Sequence, residues 1–203
     1  MNFLVSKKDI IYKGNKNNII FITGLIGSGK TTLAKEMAKS NNYITISQDL
    51  FKWSERFKDN HSQNFLAAFI KKYPETKPYF ENNSWKEMDS KIIKKYRTYF
   101  NYFVIEYAEK NNKNIIYEGH NIFLDFSPEQ LQDYIIIIKN TSALKAFYRR
   151  IKRDYHAIPE NQRHKFRFVK IMLKQFKKYY LNHLKLLNQF IMDRNNLDEH
   201  SSL

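Results

Sequence analysis

The sequence has no cysteine and only five glycines among its 203 residues. The lack of cysteine excludes disulfides, thiolate metal sites and a cysteine nucleophile. No apolar run approaches the roughly 20 residues that a membrane-spanning helix needs, and the amino terminus becomes polar too early for a secretory signal. We therefore expect a soluble, cytoplasmic protein with no membrane partner, and the length fits a single domain.

Positive charge is abundant and unevenly distributed, giving a net charge of +15. From Thr141 to the carboxyl end, 14 Lys or Arg residues stand against 5 Asp or Glu residues. A basic half favours anionic partners such as nucleotide phosphates or nucleic acid. The alternative explanation is a Lys-rich composition with solvated side chains, and the sequence leaves both explanations open.

Three of the five glycines fall within the segment GLIGSGKT, residues 24–31. This segment follows a predicted strand and opens a predicted helix, which is the context that the phosphate-binding motif G-x-x-x-x-G-K-[ST] requires. Backbone N–H groups of such a loop surround a β-phosphate, and the helix N-terminus adds its positive dipole end. Lys30 is predicted to neutralise phosphate oxygens of ATP, and Thr31 to bind Mg²⁺. The candidate nucleotide-binding residues of this segment are Gly24, Leu25, Ile26, Gly27, Ser28, Gly29, Lys30, Thr31 and Thr32.

Short apolar runs alternate with helical periodicity along the chain. The runs NNIIFITG, YITIS, NIIYEG and YIIIIKN predict four buried strands, and the segment 3–17 predicts an additional edge strand. Continuously apolar strands separated by helices favour a parallel sheet covered on both faces. The predicted fold class is therefore α/β, in three layers around a mostly parallel sheet.

Helical sequence fills much of the rest of the chain. Between the second and third strands, a helical substrate-side insertion is predicted over about 52–112. Its apolar side chains recur at spacings of three and four residues and predict one buried helix face. A further helix follows the fourth strand, with Thr141 or Ser142 as its N-cap, and a last helix is predicted over about 162–192. The predicted buried face of the helix within the 52–112 insertion consists of Trp85, Met88, Ile92, Tyr96, Tyr99, Phe103 and Tyr107.

Acidic side chains follow the second and third strands, where open α/β sheets bind their ligands. Asp49, in TISQDLF, is predicted to accept the proton of an acceptor hydroxyl, and its alternative role is to cap the following helix. Glu118, in IIYEGH, is predicted to hold Mg²⁺, directly or through a water, or to orient the substrate. His120 is a further candidate substrate contact, although a lone histidine at a strand end is more often a solvated loop residue.

Arginines cluster in the segment FYRRIKRDYHAIPENQR. On a helix, Arg149 and Arg153 share a face, whereas Arg150 points about 100° away. Guanidinium groups stabilise the negative charge that spreads during transfer of a γ-phosphoryl group. We predict that Arg149 and Arg153 are catalytic and that Arg150 binds the nucleotide, all on a helical lid over about 149–163. The alternative is a set of surface arginines on a basic helix.

Taken in order, GLIGSGKT, ISQDLF, YEGHNIF and RRIKRD resemble the uridine kinase/phosphoribulokinase family of P-loop kinases. The resemblance covers about residues 19–154 and implies ATP-dependent phosphorylation of a small-molecule hydroxyl. It matches Asp49 to the catalytic base and Arg149, Arg150 and Arg153 to lid residues. The Asp-His-Pro hairpin and the later Arg-Gly-Arg of uridine kinases are absent, so uridine specificity does not follow.

The leading hypothesis is a single-domain kinase with a core over about 18–154, using ATP and Mg²⁺ to phosphorylate an alcohol such as a nucleoside or related compound. Two alternatives share this chemistry, namely a 5′-hydroxyl polynucleotide kinase and a zeta-toxin-like kinase of a nucleotide sugar. An alternative of another class is a switch module that binds ATP without transferring phosphate. The sequence leaves open the acceptor, the oligomeric state and the roles of residues 1–17 and of the tail after 192.

Overall fold

The computed structural model describes residues 9–82, 89–157, 174 and 176–200. Its centre is a five-stranded sheet in the order β1-β5-β2-β4-β3, in which β1 is antiparallel to β5 and the other pairs are parallel. This arrangement confirms the predicted α/β fold, and the edge strand predicted within 3–17 is β1. The strands are β1 (Ile10–Tyr12), β2 (Lys16–Gly24), β3 (Ile44–Ser47), β4 (Ile115–Glu118) and β5 (Tyr134–Lys139).

Seven α-helices lie within the described residues, and none of them is long and apolar enough to cross a membrane. The first five are α1 (Lys30–Asn41), α2 (Asn60–Lys72), α3 (Lys77–Asn82), α4 (Ser90–Lys110) and α5 (Ile122–Asp125). The last two are α6 (Ala143–Ala157) and α7 (Asn182–His200), and a π-helical stretch, Phe176–Leu181, leads into α7. Single 3₁₀ turns occupy Gln48–Phe51, Ser54–Arg56, Pro74–Thr76 and Glu129–Leu131.

Helices cover both faces of the sheet, because side chains alternate between the faces along each strand. On one face, Ile20, Ile22 and Ile116 pack against α1. On the other face, Phe21 and Tyr117 join a larger core built from α2, α4, α5 and α7. Burial on both faces explains why the strands are apolar throughout rather than at every second position.

The larger core is aromatic where α2 packs on α4. Phe100 is fully buried, and its ring lies 5.1 Å from that of Phe65 and 5.2 Å from that of Phe69. Tyr96, Tyr99, Phe103 and Tyr107 pack against this core, as the sequence predicts. Trp85 and Met88 of the predicted face lie outside the described residues.

The prediction that Ile92 is buried is wrong, because its side chain is 40 % exposed. Asp89 caps the N-terminus of α4 by accepting a hydrogen bond from the Lys91 amide, so Ile92 lies in the first turn of the helix. Tyr79, which belongs to another helix, meets α4 one turn later, at Tyr96. The spacing of apolar residues identified the buried face of the helix, but not the residue at which other elements begin to pack against that face.

The observed ends of α6 and α7 agree with the predicted ends to different degrees. Ser142 caps α6 as predicted, since its hydroxyl accepts a hydrogen bond from the Lys145 amide at 3.3 Å. By contrast, α7 continues to His200, beyond the end expected at about 192. Contacts remote in sequence hold this extension, because Tyr12 OH donates to Asn195 Oδ1 at 2.8 Å.

Truncating Phe100 and Ile92 tests how the core is built around α4. We expect Phe100→Ala to lower the free energy of unfolding by about 3–5 kcal/mol, because it leaves a cavity among three aromatic rings. Ile92→Ala, on the same helix, should change it by less than about 1 kcal/mol because the side chain is exposed. Urea denaturation measures both values, and similar losses for the two variants would contradict the burial described here.

Candidate functional site

The loop between β2 and α1 has a backbone that glycine adopts readily. Gly24, Gly27 and Gly29 have φ angles of 135°, 84° and 94°, a region that other residues rarely occupy. A turn closed by a hydrogen bond from the Ser28 amide to the Leu25 carbonyl, at 3.1 Å, shapes the loop. Gly29 is the N-cap of α1 and has no side chain to cover the first-turn N–H groups, which are then free to bind an anion.

Helix α6 packs directly against this loop. A Cβ atom on Gly27 would lie 2.4 Å from the Ala146 carbonyl oxygen, so only glycine allows this approach. Leu25 of the loop packs in a small core with Ala146 and Phe147 of α6. This contact brings the arginines of α6 to the mouth of the loop.

A cavity of about 240 Å³, called here the first cavity, opens above the loop. It gathers residues from the loop, from the carboxyl ends of β3 and β4, and from α6. Gly24, Leu25 and Ser28 do not line it, and residues 158–163 of the predicted lid lie outside the described residues. The predicted site residues that line it are Ile26, Gly27, Gly29, Lys30, Thr31, Thr32, Asp49, Glu118, His120, Arg149, Arg150 and Arg153. Arg150 therefore faces the same cavity as Arg149 and Arg153.

Lys30 lies buried at the base of the first cavity. Its Nζ donates hydrogen bonds to the Gly24 carbonyl at 3.1 Å and to the Leu25 carbonyl at 2.9 Å. Burial lowers the pKa of Lys30 to about 8, although the nearby Glu118 and Asp49 carboxylates oppose the shift. The Lys30 side chain is thus positively charged at neutral pH and loses its proton at a pH slightly above it.

Ser47 connects the two acidic residues of the first cavity. Its hydroxyl donates to Glu118 Oε1 at 2.5 Å and accepts a hydrogen bond from the Asp49 amide at 3.2 Å. Burial raises the pKa of Glu118, whereas the positive charge of Lys30, the hydrogen bond from Ser47 and the nearby Thr31 hydroxyl oppose that shift. The side chains of Thr31 and Glu118 therefore lie near each other at the first cavity.

The alternative role of Asp49 as a helix cap is wrong. Ser47 is the N-cap of the 3₁₀ turn Gln48–Phe51, and the Asp49 side chain is left exposed at the wall of the cavity. The reason is local, because the turn begins at Gln48, two residues before the helix start at Leu50 that a cap at Asp49 would require. The Asp49 carboxylate is consequently available to a ligand.

His120 is held as a neutral side chain. Burial lowers its pKa to about 3, and the positive charge of Lys30 adds to the shift. Its ring lies 6.0 Å from that of His183, whose pKa burial also lowers. The alternative of a solvated loop histidine does not fit this partly buried ring, which can donate or accept a hydrogen bond without carrying charge.

A second cavity, of about 420 Å³, adjoins the first. The two share four wall residues, which are Ile26, Asp49, His120 and Arg150. The side of the second cavity away from the phosphate loop combines aromatic, amide and basic side chains. Those residues are Gln48, Phe51, Lys52, Trp53, Arg97, Asn121 and His183.

Gln48 and Arg97 both line the second cavity and belong to one polar network. Asp125 accepts hydrogen bonds from Gln48 Nε2 and Asn101 Nδ2, both at 2.9 Å, on Oδ2. Its Oδ1 accepts from Nε and Nη2 of Arg97 at 3.1 and 2.6 Å. Gln48 Oε1 in turn accepts from the Asn121 amide at 3.0 Å. The network fixes side chains from the turn after β3, from α4 and from α5 relative to one another.

Several residues of this arrangement were not identified from the sequence. Ser47 and Gln48 immediately precede the predicted base, Asp49. Their position at the carboxyl end of β3 is a signal that could have identified them. Arg97 and Asn101 are polar and one turn apart on an otherwise aromatic helix face, which is a usable signal for a buried polar contact. Their partner, Asp125, is remote in sequence, so nothing in the chain indicates the pairing.

Comparison with protein-family models matches residues 20–167 to the family described as AAA domain. A search among curated proteins finds no match to the chain. The matched range begins in β2, includes the phosphate loop and both strand-end acidic residues, and extends past the arginines of α6. The residues that line the first cavity therefore all lie within the matched range, whereas β1 and α7 lie outside it.

The lowered pKa of Lys30 predicts how nucleotide binding depends on pH. Above about pH 8 the free protein loses the Lys30 proton, whereas phosphate oxygens favour the protonated form, so binding must then take up a proton. We expect the dissociation constant for ATP to rise by up to about tenfold per pH unit above that point. Fluorescence anisotropy with a labelled ATP analogue measures it.

Two Lys30 variants provide the controls for this measurement. Lys30→Arg should bind with little pH dependence in the same range, because the guanidinium stays protonated. Lys30→Ala should bind weakly at every pH. A wild-type affinity that stays constant from about pH 7 to 9.5 would contradict the proposed contact between Lys30 and phosphate.

Proposed function

The chain belongs to the AAA domain family of nucleotide-binding P-loop NTPases, and we propose that it is an ATP-dependent kinase acting on an alcohol group of a small molecule. The observation that carries this proposal is the common wall of the two cavities. Asp49 faces both the cavity above the phosphate loop and the larger cavity beside it. A carboxylate in that position can meet an acceptor hydroxyl on one side and the terminal phosphate of ATP on the other.

The transfer step assigns a role to each group around the first cavity. Asp49 takes the proton of the acceptor hydroxyl while the hydroxyl oxygen forms a bond to the γ-phosphorus. The bond from that phosphorus to the β,γ-bridging oxygen breaks, and ADP is released. Lys30 binds the phosphate oxygens and offsets the charge that develops on the leaving group. Arg149 and Arg153 stabilise the transferred group, and Arg150 orients it from the shared wall.

Thr31 and Glu118 are the residues that would hold Mg²⁺, which when bound neutralises phosphate charge. Both side chains line the first cavity, and Ser47 donates a hydrogen bond to the Glu118 carboxylate. Within the described residues, no three acidic or histidine side chains form a metal cage. This donor set still fits Mg²⁺, which commonly takes one or two protein ligands and completes its shell with phosphates and water.

The other hypotheses from the sequence differ in the acceptor or in the chemistry. A panel of nucleosides, sugars, nucleotide sugars and 5′-hydroxyl oligonucleotides, tested with labelled ATP, separates the acceptors. Binding that weakens by orders of magnitude between low and moderate salt would favour the polynucleotide kinase. A switch module needs no base for an acceptor, so it predicts that Asp49 can be replaced without loss of nucleotide turnover.

Replacing Asp49 by Asn tests the kinase against the switch. We expect kcat for phosphoryl transfer to fall by roughly 10²–10⁴, because the base is lost while the size of the side chain is kept. The affinity for ATP and the melting temperature should change little, since the side chain is exposed and does not cap its turn.

Asp133→Asn is the matched control, since Asp133 is exposed and lies before β5, at the end of the sheet opposite the site. It should retain wild-type turnover. If Asp49→Asn were as active as Asp133→Asn, the assigned base and the kinase proposal that depends on it would both fail.

Removing the Ser47 hydroxyl should raise the Mg²⁺ concentration that turnover requires. In Ser47→Ala, the Glu118 carboxylate loses the donor that holds it, and changes of this kind typically reduce metal affinity about 10–100-fold. The Mg²⁺ concentration for half-maximal turnover should therefore rise by about tenfold or more, while kcat at saturating Mg²⁺ falls less. Ser40→Ala, which removes an exposed hydroxyl at the end of α1, is the control. An unchanged Mg²⁺ requirement in Ser47→Ala would argue against Glu118 as a ligand.

A further inference from the structure

The walls of the second cavity carry an excess of positive charge. Among its lining residues in the described part of the chain, Lys52, Arg97 and Arg150 are basic, and Asp49 is the single acidic residue. A ligand in this cavity therefore meets a positive surface at the physiological pH.

Two of these basic residues are separate from the nucleotide phosphates. Lys52 and Arg97 line the second cavity and are not among the described residues that line the first. The first cavity already has Lys30, Arg149 and Arg153 for the phosphates of ATP. The charge of Lys52 and Arg97 is therefore left for the second ligand.

The Arg97 guanidinium is fixed in position before any ligand binds. Asp125 accepts two of its five N–H donors, and the two side chains are 20 % and 3 % exposed. Gln48 and Asn101 hold the other oxygen of Asp125, so the carboxylate cannot turn to follow a ligand. Asp125 offsets part of the Arg97 charge, while the remaining donors of the fork stay able to recognise an oxyanion.

We propose that the acceptor of this kinase carries an anionic group, a carboxylate or a phosphate, in addition to its reacting hydroxyl, and that Lys52 and Arg97 bind that group. The proposal rests on the kinase function proposed above and specifies its substrate class. The hydroxyl lies at Asp49, next to the ATP phosphates, and the anionic group lies at the far wall. A volume of about 420 Å³ fits a small metabolite, and Trp53 supplies an apolar surface for its carbon skeleton.

Matched acceptor pairs test the substrate class. Each pair has one neutral and one anionic member. Examples are glycerol with glycerate, glycerol with glycerol phosphate, ribose with ribose 5-phosphate, and a nucleoside with its 3′-monophosphate. The carboxylate and phosphate members separate the two sources of negative charge. We expect KM to be lower for the anionic member of a pair that serves as acceptor, with the wild-type protein and saturating ATP.

Lys52→Ala tests the assigned residue. It should raise KM for the anionic acceptor about tenfold, the usual effect of losing one hydrogen bond to a charged group, and leave kcat and the neutral acceptor nearly unchanged. Lys52 is exposed, so this variant should fold, whereas Arg97→Ala would leave the buried Asp125 unpaired. Lys113→Ala, an exposed lysine before β4 at the end of the sheet opposite the site, is the charge control.

A binding measurement makes the test independent of finding the acceptor. Inorganic phosphate and malonate are titrated by calorimetry into the protein with a non-hydrolysable ATP analogue filling the first cavity. We expect saturable binding of at least one of the two anions, about tenfold weaker in Lys52→Ala and unchanged in Lys113→Ala.

The outcomes separate this proposal from the kinase proposal. No saturable binding of either anion, equal binding to Lys52→Ala, or a wild-type preference for neutral acceptors would overturn the anionic substrate class. Turnover of a neutral acceptor that depends on Asp49 would still support the kinase. Anion binding that depends on Lys52, without transfer to any acceptor, would support the subsite and count against the kinase.

Discussion

The parallel register of β2, β4 and β3 is the constraint on which the site depends. Ile22 pairs with Glu118, and Glu118 pairs with Ser47, so the carboxyl ends of the three strands align at one edge of the sheet. The chain leaves β2 directly into the phosphate loop and leaves β3 directly into the turn that carries Asp49. A shift of one residue in either pairing would turn Glu118 or Ser47 to the opposite face and separate the groups that now meet around Lys30.

A second constraint fixes the substrate side of the molecule to the sheet. Asp125 binds Arg97 and Asn101 of α4 and also binds Gln48, which follows β3. Tyr117 of β4 donates to Asn101 and extends the network into the sheet. Because Gln48, Asn101, Tyr117 and the Asp125 carboxylate are buried, the loss of one partner would leave the others unsatisfied, which makes the arrangement specific rather than merely stable. The Gln48 and Arg97 side chains that line the second cavity are thus positioned before any ligand enters.

The sequence predicted the phosphate loop and the strand ends well, because these features are local. The glycine spacing and the strand before Lys30 identify a loop whose backbone requires positive φ angles. Its errors arose where a contact depends on a remote element. Asp49 was weighed as a cap although Ser47 has that role, and Ile92 was assigned to a buried face that its neighbours do not cover. Arg150, which helix geometry turns about 100° from Arg149, lines the same cavity as Arg149 and also lines the second one.

By itself, the sequence determined the α/β class, the order of the strands along the chain, the phosphate loop with Lys30 and Thr31, and the acidic residues at the strand ends. These follow from residue spacing within short segments, which fixes local backbone geometry and the burial of a strand or helix face. Tertiary structure alone decided that Asp49 stands between two cavities and that Asp125 orients Arg97 at the wall of the second. The physical reason is that pairing of polar side chains across elements depends on the packing of the whole chain, and no local pattern records which remote residue will be the partner.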